Sequence, residues 1–190
     1  LLVAARPPDW PNVFAVDASA WARSDAECSP ERGYYYSASQ HSSGQPIVAG
    51  WNYSWIAQLG WDPDSWSAPG DVTRIPPRAD TTTTTATQIR DLVTTLHAAP
   101  GANTGPTPLF VFDAGYDPAG LTHDLTGTDA NLVVRIRGDR VFYADPPTPN
   151  PGARPGRPRG HGHRFKCGDP ATTTATAPRR SNTYQTHLPG

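Results

Sequence analysis

At 190 residues, with 22 prolines and 17 glycines, the chain can hold one domain with a modest core rather than two full ones, and much of it should be loop. A formal net charge of −1 excludes whole-molecule attraction to nucleic acid, so any such contact must come from a local basic patch. Two cysteines, Cys28 and Cys167, exclude a disulfide framework or a four-thiolate zinc site, and no run reaches the roughly 18 apolar residues of a membrane span, so the expectation is a soluble protein in a reduced, cytoplasmic setting.

The opening Leu1-Leu2-Val3-Ala4-Ala5 is too short, and too soon followed by Arg6-Pro7-Pro8, for a signal peptide. There is no methionine, even at position 1, which predicts an internal fragment or a non-standard start. Residues 12–18 form an apolar run ending in an acid, Asp17, and predict a first strand covered on both faces. Tyr34 to Ser39 and Pro46 to Leu59 are rich in aromatic and β-branched residues and predict two more strands, joined by a turn at Ser42-Ser43-Gly44. From Gly60 to Thr85 come turn signals and then five threonines, read as a loop without a core role. Ile89, Leu92, Val93 and Leu96 stand at i, i+3, i+4 and i+7, the apolar stripe of a helix that Pro100-Gly101 ends.

Leu109-Phe110-Val111-Phe112 predicts a buried strand with Asp113 at its exit. Asp117 and Pro118 predict the cap and first residue of a short helix, and 132–137 a further strand turning through Gly138-Asp139 into Val141-Phe142-Tyr143. From Asp145 onward, proline alternates with glycine and arginine and no core is expected. The last twenty residues have no apolar periodicity and predict a poorly ordered tail. The order of elements implies an α/β fold, a mixed sheet with helices packed on it.

Asp17 and Asp113 both stand where strands end. An ionised carboxylate there is costly to desolvate unless a cation, an arginine or several N–H donors compensate, so two at equivalent places suggest a shared cation. Turn formation or helix capping is the alternative for either one.

The blocks Phe14-Ala15-Val16-Asp17-Ala18-Ser19-Ala20-Trp21, Asp25 to Tyr36, Gly44 to Trp51, Phe110-Val111-Phe112-Asp113-Ala114-Gly115-Tyr116-Asp117 and Val134-Arg135-Ile136-Arg137 occur in one order. Together they resemble the front part of bacterial insertion-sequence transposases of the DDE endonuclease superfamily, over about residues 9–170. The resemblance implies an RNase H-like fold, incomplete here, in a catalytic domain at 1–145 followed by a Pro/Gly/Arg-rich linker and disordered tail at 146–190. It also implies that Asp17 and Asp113 are catalytic and, with a later glutamate, bind two Mg²⁺ or Mn²⁺ ions about 4 Å apart for DNA cleavage and strand transfer. DNA is then the partner, as transposon end and target, and oligomerisation belongs to the intact enzyme. The family's third acid has no counterpart: Glu27 and Glu31 are the only glutamates and both precede Asp113. A truncation or frameshift is the expectation, and with it a fragment inactive alone. A noncatalytic remnant that binds DNA weakly or has no function is the alternative. A phosphohydrolase using Asp17 as nucleophile lacks the companion acid two positions on, where Ser19 stands.

Fifteen arginines against one lysine, Lys166, read as coding bias. Arg135 and Arg137 alternate with apolar residues and face either DNA phosphate or solvent. Arg154, Arg157, Arg159, Arg164 and Lys166 form the dense basic run, which either follows a phosphate backbone without reading sequence or is a solvated linker. His161, His163 and Cys167 lack a fourth zinc ligand and read as a chance cluster. Trp21, Trp51, Trp55, Trp61 and Trp66 read as sheet and loop packing, although one or two on a loop could stack on bases.

Overall fold

The first apolar run extends into strand β1 (Val13–Ala22), and its pairing on both sides organises the rest. In the computed structural model, which describes residues 9–37, 44, 46–61, 67–99, 105–148 and 160–172, the chain divides into two compact units, residues 1–135 and 136–190. In the first unit, β1 pairs antiparallel with β3 (Ile47–Leu59). The far edge of β3 is shared by β2 (Gly33–Tyr36), along its first residues, and by β4 (Ser67–Ile75), along the remainder. On its other side β1 pairs parallel with β5 (Leu109–Phe112), and β5 parallel with β6 (Asn131–Val134). Helix α1 (Thr81–Ala98) joins β4 to β5, and α2 (Pro118–Asp124) joins β5 to β6. An antiparallel meander continued beyond β1 by two parallel strands entered through helices is the RNase H-like mixed sheet. The turn proposed between β2 and β3 falls largely on Ser42 and Ser43, which lie outside the described residues; Gly44 within it has φ +74°, a left-handed conformation natural to glycine.

The core lies between one face of the sheet and the helices. Phe14, Val16, Ile56, Phe110 and Phe112 alternate along their strands to that face and meet Ala86, Ile89, Leu92 and Val93 of α1 and Leu121 of α2, with Leu96 and Leu132 packed at the margin. The Phe14 and Phe110 rings stack at 5.1 Å across the β1–β5 seam. The α1 stripe is therefore the one its periodicity announced. A buried polar clamp adds to it: Ser54 Oγ and Thr85 Oγ1 are 3.0 Å apart, and Gln88 Nε2 donates to the Ser54 carbonyl at 3.2 Å and to Asp71 Oδ2 at 2.8 Å. Unpaired, these groups would each cost about 1–3 kcal/mol; paired, they fix α1 against β3 and β4.

Three expectations need correction. The stretch from Gly60 to Thr85 is not a loop: it holds β4 and the first turn of α1. The β4 sequence is polar, with Ile75 as its one buried apolar side chain among the described residues, so it carries no periodic signal; it is an edge strand held by its ladder with β3, and a bulge at Ile56/Ala57 accommodates Pro69. The threonine run is helical because Asp80 caps Thr83 N at 2.8 Å and the buried Thr85 and Ala86 pack the first turns against the sheet, which offsets the low helix propensity of threonine; Thr84 and Thr87 satisfy their hydroxyls on the carbonyls of Asp80 and Thr83. The last strand of the first unit stops at Val134, so the alternation read through Arg137 ends with Arg135, whose backbone N–H still bonds the Phe112 carbonyl at 3.0 Å.

The second unit contains a structured piece where no core was expected. Strands β7 (Val141–Tyr143) and β8 (Arg164–Lys166) form an antiparallel pair, with Phe142 and Phe165 directly opposite and their rings stacked at 6.5 Å. Residues 149–159 of the intervening proline-rich segment and the whole tail beyond Thr172 lie outside the described residues.

Phe110, fully buried at the β1–β5 seam, gives the most direct check on this core. Phe110→Ala is expected to lower the unfolding free energy by about 3–5 kcal/mol, as read from the urea midpoint with circular dichroism.

Candidate active site

Parallel pairing in register sets Val16 opposite Phe112, and both point into the core. The pleat then turns the next residues, Asp17 and Asp113, to the opposite face of the sheet, on strands about 4.8 Å apart. Arg135 follows Val134 as Asp113 follows Phe112, so a row Asp17, Asp113, Arg135 succeeds the apolar row Val16, Phe112, Val134. Asp17 is not at the end of its strand, since β1 continues to Ala22 along β3; it stands where the β1–β5 pairing ends.

The turn after β5 is shaped around the second carboxylate. Asp113 Oδ1 accepts the Gly115 N–H at 2.8 Å, and a Cβ on Gly115 would lie 2.9 Å from the same oxygen. Any larger residue at 115 would push the carboxylate out of this position. Asp117 accepts from Ala119 N and Gly120 N at 3.3 and 3.1 Å and caps α2, so it is a helix cap as its sequence context suggests.

Partial burial raises the Asp17 carboxyl pKa first; a hydrogen bond from the Ala18 backbone lowers it, and the Asp113 charge raises it again. A cation beside Asp17 would offset both the burial and the neighbouring charge. The chemistry of the donor set suits Mg²⁺ or Mn²⁺, which need few carboxylates and complete their shell with water and phosphate oxygens, and the absent Cβ at Gly115 leaves the Asp113 carboxylate room to serve. Among the described residues no group of three His, Cys, Asp or Glu side chains could hold a metal, so the pair stands without a third protein ligand there.

Tyr116 was not singled out from the sequence. It is 5% exposed, packs on Phe112 with ring centres 5.1 Å apart, and its buried Oη has no well-formed hydrogen bond. Burial raises its pKa foremost; the Ser54 and Thr85 hydroxyls lie near enough to pull it back, and Asp17 and Asp113 raise it further. A neutral phenol therefore sits on the core side of the aspartates. An aromatic residue three positions after an acid at a strand exit was the available signal.

The other candidates are scattered. Arg137 lies in a turn of the second unit, its carbonyl accepting from Arg140 N. Arg164 and Lys166 flank Phe165 on β8 and project to one side of that hairpin. Arg154, Arg157 and Arg159 lie outside the described residues, as does Trp66. His161, His163 and Cys167 form no three-membered metal group, and the His161 ring lies 5.0 Å from that of Tyr143. Glu31 pairs with Arg74 at 3.6 Å. Trp61 packs edge-on against Trp10 and donates to the Pro11 carbonyl, a packing role, whereas Trp21 and Trp55 stand exposed. No described helix is long and apolar enough to cross a membrane.

The family described as DDE superfamily endonuclease matches residues 1–188. Comparison with curated proteins finds no match. Two solved structures are similar in part: the native protease-reverse transcriptase of Prototype Foamy Virus and its CSH mutant, each at 11% identity and a TM-score of 0.28, over 70% of this chain. The chain spans 18% of the length of those proteins.

Because the Asp17 pKa is raised in the fold, its contribution to stability is present below the unfolded value of 3.8 and is lost as pH rises through the folded value. Asp17→Asn is therefore expected to raise the metal-free melting temperature at pH 7, with the gain fading as pH falls below about 4. Differential scanning calorimetry across that pH range tests it. A gain that persists at low pH would show that charge is not its cause.

Proposed function

Since the chain belongs to the DDE superfamily of endonucleases, we propose that it is the front part of a transposase catalytic domain that cuts DNA and transfers the cut strand. The observation that supports this reading is the register of β1 with β5, which leaves Asp17 and Asp113 as the residues that follow the paired Val16 and Phe112. Divalent cations, when bound, would supply activation of the attacking hydroxyl and charge stabilisation at the leaving oxygen.

The chain's own residues do the positioning. Asp17, held in the β1–β3 ladder where the β1–β5 pairing ends, fixes one carboxylate; Asp113, braced by Gly115 N–H, fixes the other. Arg135, whose backbone N–H bonds the Phe112 carbonyl, serves in this reading to meet a non-bridging phosphate oxygen with its guanidinium fork. Arg137, Arg164, Lys166 and the arginines 154, 157 and 159 serve in this reading as sequence-independent contacts to the DNA backbone. The third acid comes in this reading from a glutamate outside the present sequence, because Glu31 is engaged with Arg74 and no third ligand joins the aspartates among the described residues. That same observation favours a second reading, a noncatalytic DNA-binding remnant.

Supercoiled plasmid with Mn²⁺ separates the two. The chain alone is expected to leave the plasmid intact. The chain extended by the following coding sequence bearing a glutamate is expected to nick it, with loss to background, at least about a hundredfold, in Asp17→Asn and in Asp113→Asn. An extended chain that binds DNA without nicking it would leave the remnant reading in place of the enzyme; nicking indifferent to both substitutions would remove the aspartates from the chemistry.

A further inference from the structure

The two faces of the first unit's sheet are built from different residues. Towards α1 the strands present Phe14, Val16, Ile56 and Ile75, a close-packed apolar surface shaped to receive a helix. On the aspartate face the cross-strand partners are Asp17 with Trp55, Ser19 with Tyr53 and Trp21 with Trp51. Rings there rise between small or polar neighbours. Trp55 and Tyr53 centre 6.3 Å apart with planes at 54°, and Tyr53 and Trp21 6.3 Å apart at 52°, so the rings form a run that begins at the neighbour of Asp17 and leads away from it. Trp21 is 57% and Trp55 40% exposed. At the far end, the guanidinium groups of Arg23 and Arg74 lie 5.3 and 4.9 Å from the centre of the Trp51 ring.

Exposed aromatic rings in a row, with arginines beside them, match the chemistry of unstacked nucleobases on a phosphate backbone. The aliphatic side chains of this face, among them Val13, Leu59, Val111 and Val133, stand on the other side of Asp17 from the rings, with Val72 beside Trp55; the ring run itself is flanked by Asp17, Ser19 and Arg74, and a base needs only a ring face. In a duplex each base is already covered by its neighbours, so such a platform selects bases that have left the stack. Arg23 is paired with Asp25 at 3.0 Å and Arg74 with Glu31 at 3.6 Å, which lowers the net positive field. Stacking should then outweigh charge in the affinity.

We propose that Trp55, Tyr53 and Trp21 form a stacking platform for unpaired DNA bases, running away from the Asp17 site, with Arg23 and Arg74 meeting the backbone at its end. The position of the scissile phosphate beside the platform rests on the proposed function; the platform itself does not.

The test is binding of a labelled oligothymidine to the chain in EDTA, followed by fluorescence anisotropy and tryptophan quenching. The expected result is binding with a shallow salt dependence, weakened about 5- to 100-fold by Trp55→Ala and by Trp21→Ala, preserved by Trp55→Phe, and much weaker for a blunt duplex. Circular dichroism of each variant checks that it remains folded. Unchanged binding by both alanine variants, or equal affinity for the duplex, would overturn the platform. So would a longer protein containing this chain in which Trp21 and Trp55 are shielded from acrylamide and oligothymidine alike, because another segment then covers the face. Since no metal is present, a failure of the aspartate site appears only in the nicking assay: ring-dependent binding without nicking keeps the platform and sinks the active site, and nicking without ring dependence does the reverse.

Discussion

The parallel pairing of β1 with β5 is the constraint on which the rest depends. Its four-residue register is short, and it joins segments almost a hundred positions apart in the chain. The stacked Phe14 and Phe110 rings make it a core contact, and the same seam sets where the two strands stop pairing. One residue of slip would turn Asp113 to the helix side, towards Ile89 and Leu121, and turn Phe112 away from the core, at a cost of several kcal/mol. Hydrophobic packing therefore enforces the juxtaposition of the acids without any contact between them.

Much of this was legible because strands buried on one or both faces have a strong signature. Leu109 to Phe112 and Val13 to Val16 are short apolar runs, each followed by an acid, and the α1 stripe repeats at helical spacing. The cap at Asp117 with Pro118 behind it is equally local. What could not be read was structure imposed from outside the segment. β4 buries one apolar side chain and takes its conformation from β3, and the threonine run becomes helix through a single cap and the burial of Thr85 and Ala86. Arg135 carries no local mark of its place beside Asp113, because that place arises from the β5–β6 register.

The same distinction applies to the aromatic residues. In sequence, Trp21, Tyr53 and Trp55 are indistinguishable from core formers, since alternation tells which residues share a face but not which face is covered. Only the side on which α1 lies separates them from Phe14 and Ile56. Once it is known, the apolar rings become the exposed set, and the buried set includes the polar Ser54, Thr85 and Gln88. Hydrophobicity therefore predicts burial on the helix side and fails for the rings on the aspartate side, although Val13 on that face is buried.

The failure has a physical meaning. A sheet selected for stability alone would place neither two neighbouring carboxylates nor a line of exposed tryptophans on the same face, since the first repel and the second leave apolar surface in water. Under the proposed function both features would become favourable on binding a polyanion with divalent cations: the acids would gain counter-charge, and the rings would gain bases to cover them. The metal-free fold thus carries the cost on one face while the α1 face supplies the stability. Because the two faces share β1 and β3, a substitution that loosens the α1 clamp at Ser54 or Gln88 would disturb the register of the strands that hold Asp17, although neither residue touches it.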